Sequence, residues 1–170
     1  MSAQPAPGSF SLDPARSSVR FRHKTMWGLV TVKGSFGSVR GSGDVAADGS
    51  GSGTLVVQSA SLDTKHPKRD AHLRSKDFFE SETFPEITFT ATRITPAIDG
   101  SAQVEGELTV RDTSRKLTFP AHFEAQGADA VALRGELEIA REDYGMGWNQ
   151  LGMMKGAATI ELDLQFTAAN

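Results

Sequence analysis

Apolar and polar residues alternate along many short segments of this chain. In residues 103–110, Val104, Gly106, Leu108 and Val110 alternate with polar or charged residues. A period of two with one polar face is typical of antiparallel strands that cover a core on one side. The alternation predicts strands near residues 10–13, 17–24, 29–36, 42–47, 53–62, 86–94, 101–111, 116–126, 131–140 and 156–167.

So many predicted strands in one chain of 170 residues favour a closed barrel or a sandwich. Three glycines, Gly34, Gly106 and Gly135, fall on the apolar faces of their strands. Missing side chains on the inner wall of a barrel leave room for a cavity, and an apolar cavity suggests an apolar guest. Glycines of this kind also mark bends and bulges, so both interpretations stay open.

Two segments lack the alternation. In residues 64–85, Pro67 suits the first position of a helix, and we expect a short helix at 67–74 with a further turn at Lys76–Glu80. Residues 141–155 are rich in glycine, methionine and tryptophan. We expect this second segment to form a loop over an apolar opening.

Composition narrows the classes of partner. The net charge of -3, with no block of lysine and arginine, argues against nucleic acid. The absence of cysteine excludes disulfides and thiol chemistry. None of the four histidines has the spacing of a helical zinc pair with another, so no metal site is predicted.

The N-terminal residues 1–9 are small or proline-rich and predict a disordered tail before a single domain at 10–168. This start has no basic region followed by an apolar run, as a secretory signal would. No segment is apolar for long enough to span a membrane as a helix. We therefore expect a cytoplasmic protein that does not span a membrane.

Several motifs occur in a fixed order along the chain. Between residues 63 and 94 they are Arg69-Asp70, His72-Leu73, Asp77-Phe78-Phe79, Phe84-Pro85 and Ile87-x-Phe89. Further blocks lie at residues 19–23, 32–36, 104–109 and 139–146. In this order, over residues 10–167, the chain resembles the YceI family of polyisoprenoid- and lipid-binding proteins. Many members have a glycine where Arg111-Asp112 stands here, so Asp112 is expected to form that turn.

The resemblance implies an all-β fold, an extended lipocalin-like antiparallel β-barrel of about eight strands with one or two short helices. It also implies a long apolar ligand in the interior, such as a polyprenyl quinone or a fatty amide. No cofactor is expected other than a bound isoprenoid or similar lipid. Arg69, Asp70 and Arg141 are expected to be structural, in ion pairs between a helix and the barrel.

The candidate ligand-binding residues lie on the apolar faces of the predicted strands or in the segments between them. They are Val19, Phe21, His23, Met26, Trp27, Val30, Val32, Phe36, Phe78, Phe79, Phe84, Phe89, Gly106, Leu108, Phe119, Met146, Trp148 and Met153. His23 ends an apolar run, so it either belongs to the core or contacts a polar head group at the barrel mouth.

These observations predict a protein that carries a hydrophobic small molecule, and exposed strand edges suggest a homodimer. Two other classes stay open: an enzyme acting on a lipid held in the barrel, and a stress or interaction protein with an incidental cavity. The sequence has no G-x-S-x-G motif, phosphate-binding loop or dinucleotide fingerprint. We therefore predict no enzymatic activity and assign no catalytic residue.

Overall fold

The computed structural model describes residues 7–25, 30–127, 129–144 and 157–169. Short 3-10 turns occur at Pro14–Arg16, Ser59–Ser61 and Arg141–Tyr144. The strands and the helix of these ranges are β1 (Gly8–Leu12), β2 (Ser18–Thr25), β3 (Val30–Phe36), β4 (Val39–Val45), β5 (Gly51–Gln58), β6 (Leu62–Asp63), α1 (Pro67–Leu73), β7 (Glu86–Pro96), β8 (Ser101–Val110), β9 (Thr113–Ala125), β10 (Ala130–Ile139) and β11 (Ala158–Ala168).

Eight of these strands close into an antiparallel ring, in the order β1-β4-β5-β7-β8-β9-β10-β11. The ring is completed where β11 pairs with β1, with Phe10 opposite Ala168 and Leu12 opposite Phe166. A closed barrel has no free strand edge within the ring. The prediction of an all-β, lipocalin-like barrel of about eight strands is confirmed.

The remaining strands extend the wall at one end. After the turn at Pro14–Arg16, β2 follows β1 along the same edge of β11, so that Val19 lies opposite Leu162. β3 then pairs with β2, and β6 pairs with β3. Because α1 follows β6, we call this the helix end of the barrel. The turn end, opposite, carries the hairpin turns around residues 46–50, 97–100 and 126–129.

The predicted alternation is clearest in β8, where exposed and buried residues alternate along almost the whole strand. The predicted strand at 53–62 is instead interrupted, because β5 ends at Gln58 and a 3-10 turn precedes β6. Ser59 and Ser61 explain the break. Ser61 Oγ donates to the carbonyl of Gln58 at 2.6 Å, and the buried Ser59 Oγ donates to the carbonyl of Phe84 at 2.9 Å. Such side-chain bonds compete with the sheet for the backbone.

The helix prediction is confirmed. α1 begins at Pro67, and the ring nitrogen Nδ1 of His66 accepts a hydrogen bond from the backbone N–H of Arg69 at 3.2 Å. The predicted further turn is present at residues 76–79, and the backbone N–H of Phe79 donates to the carbonyl of Leu73. The segment between α1 and β7 is therefore folded back over the helix end.

Two hairpin turns at the turn end use the same local chemistry. Asp48 accepts hydrogen bonds from the backbone N–H and the hydroxyl of Ser50, and Asp99 does so from Ser101. These bonds lower the pKa of both carboxyl groups from the usual value of 3.8. The glycine between them, Gly49 or Gly100, has a φ near 90° that suits its lack of a side chain.

The turn between β8 and β9 differs from the expectation. Arg111, rather than Asp112, has a left-handed backbone, with a φ of 58°. Its guanidinium donates to the carbonyls of Lys76 and Phe78, both at 3.2 Å, and lies 6.0 Å from the centre of the Phe84 ring. These contacts tie the turn to the segment that covers the helix end, and they offset the strain of a non-glycine residue at positive φ.

Candidate ligand-binding cavity

The barrel interior contains two apolar chambers in line. The larger, of about 140 Å³, lies toward the helix end, and the smaller, of about 70 Å³, lies toward the turn end. An apolar cavity of ~150 Å³ in another protein stays dry and binds benzene. The larger chamber is therefore big enough to hold part of an apolar molecule.

Many side chains around the larger chamber are only half-buried although they point into a closed barrel. Leu117, Leu137 and Ile160 are examples. Their remaining exposure is to the space inside the chamber, because the outer faces of their strands carry polar residues such as Thr118 and Glu138. A ligand that filled the chamber would cover this apolar surface.

Seven of the predicted ligand-binding residues line the larger chamber. They are Val19, Phe21, Phe36, Phe79, Phe89, Leu108 and Phe119. Phe89 and Phe119 also border the smaller chamber. Phe36 packs against Phe21 at 5.3 Å and against Phe79 at 5.8 Å between ring centres. The fold thus brings together predicted side chains from six parts of the chain, which are β2, β3, β7, β8, β9 and the segment between α1 and β7.

The other described candidates lie elsewhere. Phe78 is buried in a cluster with Leu108, Val110 and Tyr144, and Phe84 lies under the Arg111 guanidinium. Val32 and His23 lie opposite each other on β3 and β2 and are buried, but neither borders the two chambers. His23 lies instead beside a polar groove lined by residues of β2, β3 and β11.

Gly106 does not line either chamber, although it was a candidate. The predictions for Met26, Trp27, Met146, Trp148 and Met153 lie outside the described residues. Val30 begins β3, but its side chain, like that of Arg141, is not described.

The three glycines on apolar faces do not open space for a guest. The ring of Phe21 occupies the space over Gly34, that of Phe89 the space over Gly106, and that of Phe119 lies beside Gly135. Each glycine accepts an aromatic ring from a neighbouring strand, a known way of stabilising glycine in a sheet. The interpretation that they leave an empty cavity is wrong, because this chain's own rings fill the space.

Other glycines, on β4 and β5, do lie at the cavity, although they were not among the predicted residues. Gly43, Gly51 and Gly53 border the smaller chamber. The nearest atoms to a Cβ added at Gly43 or Gly53 are backbone atoms of the facing strand, not an aromatic ring. The signal was present in the repeated Gly-Ser-Gly of residues 41–43 and 51–53.

The helix end is fixed by a buried polar cluster. The Asp70 carboxylate accepts hydrogen bonds from the backbone N–H of Thr64 at 2.9 Å and from its hydroxyl at 2.5 Å. The guanidinium of Arg69 donates to the hydroxyl oxygen and the carbonyl of Thr64, both at 2.9 Å. Asp70 and Arg69, which we expected to form ion pairs between a helix and the barrel, each bond Thr64 rather than each other. The cluster anchors α1 to the end of β6.

Tyr144 was not among the predicted residues; it is buried near the larger chamber but lines neither chamber itself. Its side chain is 2% exposed and packs with Leu108 and Val110, which line that chamber. Its hydroxyl has no hydrogen-bond partner among the described residues. Burial, with the charge of Asp143, raises the pKa of this hydroxyl above its usual value of 10.0, so it stays neutral near pH 7. It is a polar group placed beside an apolar chamber.

Within the described ranges, His, Asp and Glu side chains form no group of three or more that could bind a metal ion. Among the same residues, no helix is long and apolar enough to cross a membrane.

A closed antiparallel barrel around two apolar chambers places the protein among the lipocalin-like barrels. The chain belongs to the family of the YceI-like domain, whose model matches residues 10–168. A relative, the UPF0312 protein SAR2769 of Staphylococcus aureus (strain MRSA252), is 31% identical over 169 residues, which cover 95% of each chain.

Two solved structures are similar in fold. Burkholderia cenocepacia BcnA has a TM-score of 0.81 and 24% identity, over 91% of this chain and 98% of its own. A polyisoprenoid binding domain from Saccharophagus degradans has a TM-score of 0.73 and 17% identity, over 94% of this chain and 98% of its own. At these identities the likeness establishes the architecture.

Proposed function

We propose that the protein binds and carries a long apolar molecule, such as a polyisoprenoid, a polyprenyl quinone or a fatty amide, inside the barrel. The observation that carries this proposal is the larger chamber, an empty space bounded by half-buried apolar side chains in a closed barrel. The polyisoprenoid binding domain from Saccharophagus degradans, which shares the fold, supports the same ligand class.

The driving force is burial of apolar surface of both the ligand and the chamber wall. Each methylene group moved from water into the barrel contributes roughly 0.8 kcal/mol. A stretch of about ten carbons therefore contributes about 8 kcal/mol before the costs of association are subtracted. Organic extraction of the freshly purified protein, with native mass spectrometry before and after, identifies the molecule that it carries.

Leu137→Trp is expected to weaken the binding of farnesol at least about tenfold, because the larger ring takes up space inside the larger chamber. The affinity is measured by titration calorimetry or native mass spectrometry. Glu138→Trp is the matched control, since it adds the same ring to the next residue of β10, which is exposed on the outer face. A folded Leu137→Trp protein that binds farnesol as tightly as the wild type would contradict binding in this chamber.

We also propose that the Tyr144 hydroxyl bonds the polar head of a ligand that displaces Leu108 or Val110, the chamber-lining side chains against which Tyr144 packs. This hydroxyl is buried, neutral and without a partner in the described part of the chain. An unpaired buried hydroxyl costs about 1–3 kcal/mol, which a hydrogen bond to a ligand alcohol would remove.

Tyr144→Phe is accordingly expected to raise the melting temperature of the ligand-free protein and to weaken farnesol binding several-fold. Binding of a hydrocarbon of the same length, without the alcohol, is expected to be unchanged. Calorimetry with the two ligands checks this difference. An equal loss for both ligands would show that the ring, not the hydroxyl, is what matters.

Three further properties complete the proposal. We propose binding without turnover, so the mass of a labelled prenyl lipid is expected to be unchanged after incubation. The cytoplasmic location and the homodimer are predictions of the sequence, and cell fractionation and analytical ultracentrifugation measure them directly.

A further inference from the structure

The two chambers meet at one level of the barrel, where four side chains border both of them. These four residues, Leu55, Phe89, Phe119 and Leu162, are called the partition here. They come from β5, β7, β9 and β11, of which β7, β9 and β11 are alternate strands of the ring and β5 is the neighbour of β7. Leu55 lies directly opposite Phe89, and the centres of the Phe89 and Phe119 rings are 5.7 Å apart at 52°. The two rings and the two leucines therefore lie between the chambers.

The rings of the partition are held in place by the backbone of the intervening strands. The Phe89 ring lies over Gly106 of β8, so closely that an added Cβ there would be 2.7 Å from its Cζ. The edge of the Phe119 ring lies 3.4 Å from the position of a Cβ at Gly135 of β10. Each ring thus has a fitted place on the wall, and a displaced ring would lose these contacts.

We propose that the partition limits the length of apolar tail that the protein binds, with Phe119 and Phe89 as the residues that determine it. The inference rests on the proposed function. A tail in the larger chamber gains affinity with each carbon that it buries until it reaches the partition. A longer tail enters the smaller chamber only by displacing the rings, and this cost offsets the gain from the additional carbons.

The smaller chamber would hold the end of the longer tail. Its wall is thin at Gly43 and Gly53, and it is otherwise lined by apolar residues such as Ala91 and Phe123. The partition lies between it and the larger chamber. Removing one ring should therefore join the two spaces into one tunnel.

The test uses geraniol, farnesol and geranylgeraniol, which contain two, three and four isoprene units. The affinity of the wild-type protein is expected to rise with length and then level off within the series. In the Phe119→Leu protein, the affinity is expected to level off at a tail that is one isoprene unit longer. We expect the Phe119→Leu protein to bind this longer alcohol at least about tenfold more tightly than the wild type does. This gain is modest, because burial of each methylene group raises the affinity roughly fourfold.

Two control variants distinguish the partition from a general loosening of the core. Phe123→Leu makes the same change in a residue that borders the smaller chamber only, and it is expected to leave the length profile unchanged. Adding Ala91→Leu to Phe119→Leu refills the smaller chamber and is expected to return the profile to that of the wild type.

The outcomes separate this inference from the proposed function. If the wild-type protein binds none of the three alcohols, the proposed function fails and the inference fails with it. If the wild-type protein binds them but its affinity rises equally at every step, or if folded Phe119→Leu has the same profile as the wild type, the inference is overturned and the binding function stands. A profile shift in Phe119→Leu that Phe123→Leu reproduces also overturns it.

Discussion

Asp70→Ala is expected to lower the free energy of unfolding by about 3 kcal/mol, the largest effect of any substitution considered for this protein. Asp70 is 7% exposed, and its carboxylate accepts two hydrogen bonds from Thr64, which is itself 4% exposed. Hydrogen bonds to a charged group contribute about 1.5–3 kcal/mol each, and a buried N–H left without a partner adds a further cost. For a chain of this size, the melting temperature should fall by roughly 6–12 °C.

Asp77→Ala is the control for this measurement. Asp77 lies a few residues further along the same segment, but its carboxylate is exposed, 2.8 Å from the Nε2 atom of His72. Exposed pairs contribute little, so the change should stay within about 1 kcal/mol. Thermal and urea unfolding of both variants give the comparison. An Asp70→Ala protein with the same melting temperature as the wild type would show that the Thr64 cluster does not anchor α1.

Gly106→Ala is expected to cost about 2–3 kcal/mol, although it adds only one methyl group. A Cβ at Gly106 would overlap the carbonyl oxygen of Thr90 and approach the Phe89 ring to 2.7 Å and the Cα atom of Ala91 to 3.0 Å. Two of these three neighbours are backbone of the adjacent strand, which cannot move aside without distorting the sheet. Overpacking of this kind typically costs about 1–3 kcal/mol.

Gly135→Ala provides the contrast, because it makes the same change in a similar glycine–phenylalanine pair. Here the nearest atoms are the Phe119 ring at 3.4 Å, the Ala121 Cβ at 3.5 Å and the Pro120 oxygen at 3.6 Å, which are ordinary contact distances. The substitution should leave the free energy of unfolding unchanged or raise it by about 0.5 kcal/mol, because alanine gives the unfolded chain less conformational freedom than glycine does. Equal destabilisation of the two variants in urea would refute this account of the glycines.

Strands with one face toward water and one face toward the core were predictable from the sequence. β8 is the clearest case, since its alternation of polar and apolar residues matches its exposure almost residue by residue. The break between β5 and β6 was not predictable. It depends on the bond from Ser59 to the carbonyl of Phe84, which is far away in sequence.

The site was predictable in its lining but not in its shape. Alternation placed Phe21 and Phe119 on the inner face, and the Ile87-x-Phe89 motif pointed to Phe89; all three line the larger chamber. Alternation does not say which ring covers which glycine, because that depends on the register between strands. Gly34 is opposite Phe21, whereas Gly106 is opposite Ala91 and receives Phe89 from a diagonal position. The sequence therefore could not show that the rings would divide the interior.

The pairing of β1 with β11 has a consequence for how the molecule is made. These two strands lie near opposite ends of the described chain, and their register joins Phe10 to Ala168. During synthesis β1 leaves the ribosome long before its neighbour β11 exists, so the ring stays open until β11 has been made. Contacts between such distant segments form slowly. The apolar inner wall is thus accessible to chaperones or to lipid while the polypeptide is still growing.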